Sequence, residues 1–379
     1  ISARNSSNAF HGDLVEAVLF AKQKGKNLEG QISKVIRRKR KQFVGRLRKS
    51  KSFYFISPDD SKIHRDIYID REDLQGAKPG DKVTVGKIKW DDRMLNPEGE
   101  VIEVLGKEGT LEAEVISIAR EFGIPTVFKK VVLRESEKVE LGITNEEVSK
   151  RIDFRNKNVF TIDPEDAKDY DDALSIENLS NGNYKIGVHI ADVSHYVKSK
   201  TELDSEALNR GNSTYLVGKA IPMLPEKLSN NICSLVPNED RLTFSVIFEI
   251  TSSGEVVDYQ ISKTIINSKR RFTYEEAQQI IETGNGEFSD DINNLNIIAT
   301  NLRKKRFNEG SLEFYTPEVE FELNSEGKLV KIIKREIKES NMLVEEFMLL
   351  ANKSVAEKIS RKKKIAFVYR IHDFPDQEK

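Results

Sequence analysis

Hydrophobic positions change their period along this chain, and the changes divide it. Between residues 30 and 106 apolar residues alternate in short runs: Phe43 to Leu47, Phe53 to Ile56, Ile67 to Ile69, Lys82 to Trp90 and Gly99 to Val104. A period of two marks strands with one buried face. Turn formers separate the runs, among them Ser57-Pro58-Asp59-Asp60 and Lys78-Pro79-Gly80-Asp81. Five short strands in about 75 residues suit an OB-fold barrel. Residues 1–29 hold one good strand, Asp13 to Phe20, and read as the remnant of a preceding domain.

Residues 107–155 read as a connector with two helices. Leu111 to Phe122 has small or apolar residues at helical spacing, and Asn145 to Arg151 follows Thr144 as cap with Glu147 three residues on. From 156 to 379 the pattern is mixed. Strands are expected from Asn158 to about Tyr196 and from Leu242 to Ile266. Helices are expected over Thr273–Glu282, Asp290–Asn308 and Ser340–Ser360, and a hairpin joins Val319–Leu323 to Leu329–Arg335 around Asn324-Ser325-Glu326-Gly327. The fold class is α+β: an OB-type barrel, then a mixed α/β domain.

Chemistry concentrates at one place. Asp163, Asp169, Asp171 and Asp172 lie within ten residues, in VFTIDPEDAKDYDDALSIE. Val159 to Ile162 is a β-branched and aromatic run, Pro164 breaks it, and Ala173 to Ile176 starts another. The acids therefore hang from a strand-loop-strand frame. Two carboxylates about 4 Å apart repel by roughly 4 kcal/mol at an effective dielectric near 20. One or two divalent cations turn that cost into a binding site of hard oxygen ligands. Two other readings compete. Acid-rich loops are commonly solvated turns, and Asp169-Tyr170-Asp171 meets the short DxD signature of nucleotide-sugar transferases. An EF-hand calcium loop fits poorly, because its Gly and its closing Glu are missing.

Composition narrows the classes. The 379 residues are 32% charged and 38% hydrophobic, enough for two or three domains with real cores. No apolar run approaches the ~18 residues that span a membrane. A single cysteine, Cys233, allows no internal disulfide and points to a reducing, cytoplasmic compartment. Net charge is −1, but its distribution is uneven. Ten Lys or Arg and no acid lie from Lys34 to Lys51, including Arg37, Arg38, Arg40 and Lys41. Such a run is a solvated face or a surface that gathers a polyanion. In the barrel, Phe53 and Phe55 share one face and Tyr54 the other; exposed aromatics there would stack unpaired bases.

The blocks after the aspartates carry a resemblance. They are His189-Ile190-Ala191-Asp192-Val193, Arg210-Gly211-Asn212-Ser213-Thr214-Tyr215, Pro222-Met223-Leu224-Pro225, Leu228-Ser229, Cys233-Ser234-Leu235 and the helix from Val344 to Asn352. With Thr161-Ile162-Asp163 and the Asp169-Tyr170-Asp171-Asp172 run, they resemble the catalytic domain of the ribonuclease II and ribonuclease R exoribonucleases, nearer the bacterial ribonuclease R branch. GRLRKSKSFYFISPDD resembles a cold-shock domain. The resemblance covers essentially the whole chain, which reads as an internal fragment of a longer enzyme.

The resemblance implies Mg²⁺-assisted hydrolysis of single-stranded RNA from its 3′ end, with two metal ions and with Mn²⁺ able to substitute. It implies Asp163 and Asp172 as direct ligands, Asp169 as a direct or water-mediated ligand, and Asp171 as essential for chemistry. Tyr215, by residue type alone a core aromatic, is implied to stack near the RNA 3′ end, with Phe314 as opposing clamp. Arg210 is a phosphate contact or half of a structural ion pair. A fragment of this kind also allows a second function, RNA binding without cleavage.

Overall fold

The computed structural model describes residues 1–21, 28–51, 53–92, 94–140, 142–312, 318–324, 327–362 and 365–371. They divide into two compact units: one of residues 1–128, 213–221 and 321–332, the other of residues 129–212, 222–320 and 333–379.

In the first unit β1 (Leu14–Leu19) pairs antiparallel with β2 (Gly30–Arg37). The barrel follows. β3 (Phe43–Ser50), β4 (Phe53–Pro58), β5 (Ile67–Ile69), β6 (Asp81–Lys89) and β7 (Glu98–Lys107) close in the order β3-β4-β5-β7-β6. Closure removes free sheet edges, and the alternating residues Leu47, Ile56, Ile67, Ile69, Val83 and Val85 fill the inside with no exposure. Two expectations shift here. The strand β2 pairs with the N-terminal ribbon, not with the barrel, and Phe10 joins the barrel core between Phe43 and Trp90, at 4.6 and 4.9 Å. Helix α1 (Leu111–Glu121), assigned to the connector, packs on the barrel, with Ser117 bonded to Asp59 at 2.8 Å and Arg120 doubly bonded to Glu103.

The second unit opens with α2 (Lys130–Glu137), α3 (Asn145–Ser149) and β8 (Ile152–Phe154). β9 (Val159–Asp163), β10 (Asp172–Asn178) and β11 (Tyr184–Ala191) come next, then α4 (Val193–Tyr196) and α5 (Glu202–Arg210). A small hairpin of β12 (Thr214–Leu216) and β13 (Lys219–Ile221) belongs to the first unit. Then follow β14 (Asp240–Ile250), β15 (Val256–Asn267), β16 (Arg270–Thr273), α6 (Tyr274–Thr283), α7 (Ser289–Asn308) and α8 (Glu339–Ser360); the hairpin of β17 (Glu318–Leu323) and β18 (Leu329–Arg335) comes between α7 and α8 in the chain, and its residues 321–332 belong to the first unit. Seven strands form one mixed sheet in the order β16-β9-β10-β11-β14-β15-β8, parallel only at its two outer pairs. The α6 start is a capping box: Thr273 and Glu276 exchange bonds of 2.9 and 3.0 Å. Among the described residues no helix is long and apolar enough to cross a membrane.

One sheet face packs on α6, α7 and α8 through Phe160, Leu174, Val188, Phe248, Ile292, Leu295 and Phe347. Each such side chain stabilises by roughly 1.5–3 kcal/mol. The other face carries a smaller apolar cluster and a buried polar ladder. His189 bonds Ser175 at 2.9 Å and Ser245 at 2.7 Å; Ser245 and Thr243 each meet Thr264 at 2.5 Å. Gly187 leaves the room, since a Cβ there would collide with His189 and Ser175.

Burial pushes the His189 imidazole down to about 3. The unfolded chain takes up that proton near pH 6.5 and the folded chain does not, so stability falls as the solution is acidified below that point. The expected slope from this residue is about 1.4 kcal/mol per pH unit. Urea unfolding of the wild type and of His189→Gln, compared at a series of pH values, checks it: the variant should lack that part of the slope.

Candidate active site

β9 is buried along its whole length and has a neighbour on each side, β16 in parallel and β10 antiparallel. Asp163 is its last residue; Asp172 is the first of β10. Two carboxylates thus hang from the neighbouring ends of two strands that pair further along, at Phe160 with Leu174 and Val159 with Ser175, with Asp169 and Asp171 on the loop between. That loop is tied down at several points. Ser234 donates to the Lys168 carbonyl at 2.8 Å and accepts from the Tyr170 N–H at 3.0 Å. Leu235 N–H donates to the Tyr170 carbonyl at 2.9 Å, and Ala191 N–H to that of Asp171 at 3.0 Å. Arg271 donates to the Pro164 carbonyl and lies over the Tyr170 ring.

The site is electrostatically unbalanced. Burial raises the Asp163 carboxyl to about 6; Thr161 and the Arg271 charge pull it down, and Asp171 and Asp169 push it up further. Burial, with Asp163 and Asp171, raises Asp172 to about 7. Asp171, whose side chain still reaches solvent, is raised as well, by desolvation and by Asp169. One oxygen of Asp163 is buried and has no hydrogen-bond partner. These are not the properties of a solvated turn. An orphaned carboxylate oxygen among repelling acids is a donor set that fits a hard divalent cation. Among the described residues no three acidic, His or Cys side chains already converge as a complete cage. Cations such as Mg²⁺ are commonly held by one or two carboxylates, with waters and substrate oxygens as the rest.

Around this loop the matching sequence blocks divide into supports. Asp192 is buried: burial alone would raise its carboxyl, but bonds from Arg151 at 2.7 Å and Ser194 at 2.8 Å outweigh that and hold it below the ordinary range. Cys233 is buried and its thiol is pushed up to about 12, chiefly by desolvation, so it is inert at neutral pH. Arg271 was missed in the sequence, and Ser234 stood in a matching block without its role as anchor; they stand 107 and 64 residues from their partners Pro164 and Tyr170, and no local pattern announces such bonds.

The predicted RNA contacts fare differently. Tyr215 is 65% exposed on β12, so it is not a core residue. Phe53 is exposed and Phe55 half-buried, their rings 6.0 Å apart, while Tyr54 packs on the barrel core. Tyr68 joins the outer pair, 6.2 Å from Phe53, and extends the aromatic face. The Arg210 side chain is 3% exposed and bonded to Glu206 at 2.9 Å and to the Pro222 carbonyl at 3.2 Å, the ion-pair arrangement of the two that the sequence left open. Phe314 lies outside the described residues.

The basic run is also two things. Arg38 is bonded to Asp13 at 2.7 Å and to the Asn8 carbonyl at 2.6 Å, and Arg40 to Asp60 at 2.7 Å; both brace the unit. Arg37 and Lys41 are exposed. Lys41 and Lys87, with Arg38 and Arg40, rim a hollow of about 350 Å³ floored by Phe10 and Ile88. Replacing Arg37 and Lys41 by Gln is expected to weaken binding of all single strands alike. The slope of log affinity against log salt should flatten by roughly 0.7 per lost phosphate contact. Filter binding at several salt concentrations measures this; an effect limited to one base composition would contradict a backbone role.

Residues 151–379 match the family model described as RNB domain, and residues 55–129 that described as cold shock domain. The chain belongs to the RNB-domain family. It is 39% identical over 386 residues to Ribonuclease R of Thermotoga maritima, covering 100% of this chain and 54% of that protein. It is 37% identical over 376 residues to Ribonuclease R of Aquifex aeolicus, covering 98% and 53%. The chain therefore spans about half the length of these curated relatives. Its fold matches that of Mycoplasma genitalium RNase R, solved in complex with ribose methylated single-stranded RNA, with a TM-score of 0.92 at 24% identity, over 99% of this chain and 60% of that one. Nucleases of this family are hydrolases that typically need a divalent metal.

Proposed function

We propose that the protein is a processive 3′-to-5′ exoribonuclease that hydrolyses single-stranded RNA, structured regions included, to nucleoside 5′-monophosphates. The observation that carries this reading is the orphaned, buried oxygen of Asp163 among raised carboxylates at two strand ends of an RNB domain. Asp163 and Asp172 would hold Mg²⁺ or Mn²⁺ directly, and Asp169 directly or through water. Bound there, two divalent cations supply Lewis-acid charge and a nucleophilic water for in-line attack on the terminal phosphodiester. Asp171, nearer solvent than Asp163, would orient a water and receive its proton. The loop's anchors to Ser234, Leu235 and Ala191 keep the four acids in register through repeated turnovers.

Residues 30–106 gather the strand: Phe53, Phe55 and Tyr68 stack bases without regard to sequence, at on the order of 1–3 kcal/mol each, and Arg37 and Lys41 hold phosphates. Residues 156–379 cut it. Cys233, single and buried, suits a cytoplasmic protein. Degradation of a labelled single strand by the whole protein, with magnesium and with chelator, tests the proposal. Binding without degradation under both conditions would leave only an RNA-binding module.

Tyr215 is assigned to the terminal base. Long RNA has many other contacts, whereas the shortest products depend on this stack. Tyr215→Ala should therefore degrade long RNA at a near-normal rate and stop a nucleotide or two earlier. Gel analysis of the end product decides; an unchanged end product removes Tyr215 from the clamp.

A further inference from the structure

We infer that Arg271 is a positioning residue that braces the aspartate loop across its two ends. It stands on β16, in register with Thr161, two residues before Asp163. Its guanidinium donates to the carbonyl of Pro164, the first loop residue, and lies 5.8 Å from the ring centroid of Tyr170, near the last. One planar fork thus joins the outgoing and returning limbs. The strand beneath cannot yield. Phe272 has no exposure and packs edge-on against Phe160 at 5.6 Å, and Thr273 caps α6. The Arg271 charge is felt by Asp163, but its Nε and the Asp163 Oδ2 are both buried without a hydrogen-bond partner. Its fork serves the backbone, and the carboxylate stays available.

This role rests on the metal reading of the same loop, and it makes an uncommon demand. A positive charge beside Asp163 opposes cation binding. If Arg271 were only a neighbouring charge, removing it would tighten binding. If it is a brace, removal lets the carboxylates spread, and binding weakens even though a repelling charge has gone. Lysine keeps the charge but cannot span two groups with a planar fork.

The experiment uses the chain as it stands, with wild type, Arg271→Met, Arg271→Lys and Tyr170→Leu. Hydrogen exchange without metal is followed over residues 164–171, and Mn²⁺ binding is followed by electron paramagnetic resonance. All three variants are expected to exchange faster in the loop while β9 and β10 stay protected. Both Arg271 variants should bind Mn²⁺ on the order of tenfold more weakly, the usual scale for an outer-shell support. Unchanged loop exchange, full rescue by lysine, or tighter Mn²⁺ binding by Arg271→Met would each overturn the brace. If Arg271→Met does not fold, Arg271→Lys and Tyr170→Leu decide. If the wild type binds no Mn²⁺, the metal reading fails, and the exchange data alone then decide the brace.

Discussion

Asp171→Asn is expected to abolish RNA cleavage, by on the order of a thousandfold or more, while RNA affinity stays within a few fold. The substitution keeps the shape and removes one charge from the side chain proposed to handle the proton; losing a group that acts on developing charge commonly costs on this scale. Asp172→Asn should lose cleavage too, but its stability should move the other way. Burial raises the Asp172 carboxyl from its ordinary 3.8 to about 7. The unfolded chain gives up that proton near pH 4 and the folded chain near pH 7. Above pH 7 the cation-free fold therefore bears the full cost of a buried charge, and below about pH 4 it bears none. Asp172→Asn should stabilise the cation-free chain by on the order of 4 kcal/mol above pH 7 and by nothing near pH 4. Denaturant unfolding in chelator, at both pH values, measures it. Destabilisation at both would mean that Asp172 is a structural carboxylate.

The second large effect lies beneath the site. Arg151 is wholly buried, bonded to Asp192 at 2.7 Å, to Glu147 at 2.6 Å and to the Thr243 carbonyl at 3.1 Å. It ties the start of the second unit to the residue that follows β11. Arg151→Met leaves the buried Asp192 carboxylate with only Ser194 at 2.8 Å and the more distant Lys263 at 3.9 Å as partners, and losing the main partner of a buried charge costs about 3–5 kcal/mol. The double variant Arg151→Met/Asp192→Asn should recover a good part of that loss, because the more deeply buried of the two carboxylates is neutralised, while Glu147, 21% exposed, keeps some access to water. Urea unfolding of the two single variants and the double one closes the cycle. A loss below about 1 kcal/mol for Arg151→Met would show that the pair is not the buried link its geometry describes.

Some of this was legible in the sequence, for identifiable reasons. The frame of the site was visible because a β-branched run, a proline and an alternating run are local signals, and the structure places Asp163 and Asp172 at the ends of those strands. Thr273 with Glu276 announced α6 by a pattern four residues long. Period two also sorted Phe53 and Phe55 from Tyr54. Helix α5 was overlooked, although Thr201 as its cap and Gly211 at its end, with φ of 79°, are recognisable stops. What could not be read is long-range pairing. Arg38 and Arg40 looked like the rest of a basic arm until Asp13 and Asp60, 25 and 20 residues away, appeared beside them. Arg210 stood inside a block of the family resemblance, yet its i–4 neighbour Glu206 claims it. Arg271 carries no motif, and Ser234 stands in a block of the resemblance that gives it no role; only the fold brings them to the loop.

The central claim is that the four clustered aspartates cut RNA one nucleotide at a time from the 3′ end. Mass spectrometry of the products from a defined single strand, taken early in the reaction of the whole protein with magnesium, tests it most directly. The account predicts nucleoside 5′-monophosphates from the 3′ end from the first turnover, and none when magnesium is chelated or Asp171 is replaced by Asn. Internal fragments, 3′-phosphate ends, or cleavage that survives both treatments would contradict it.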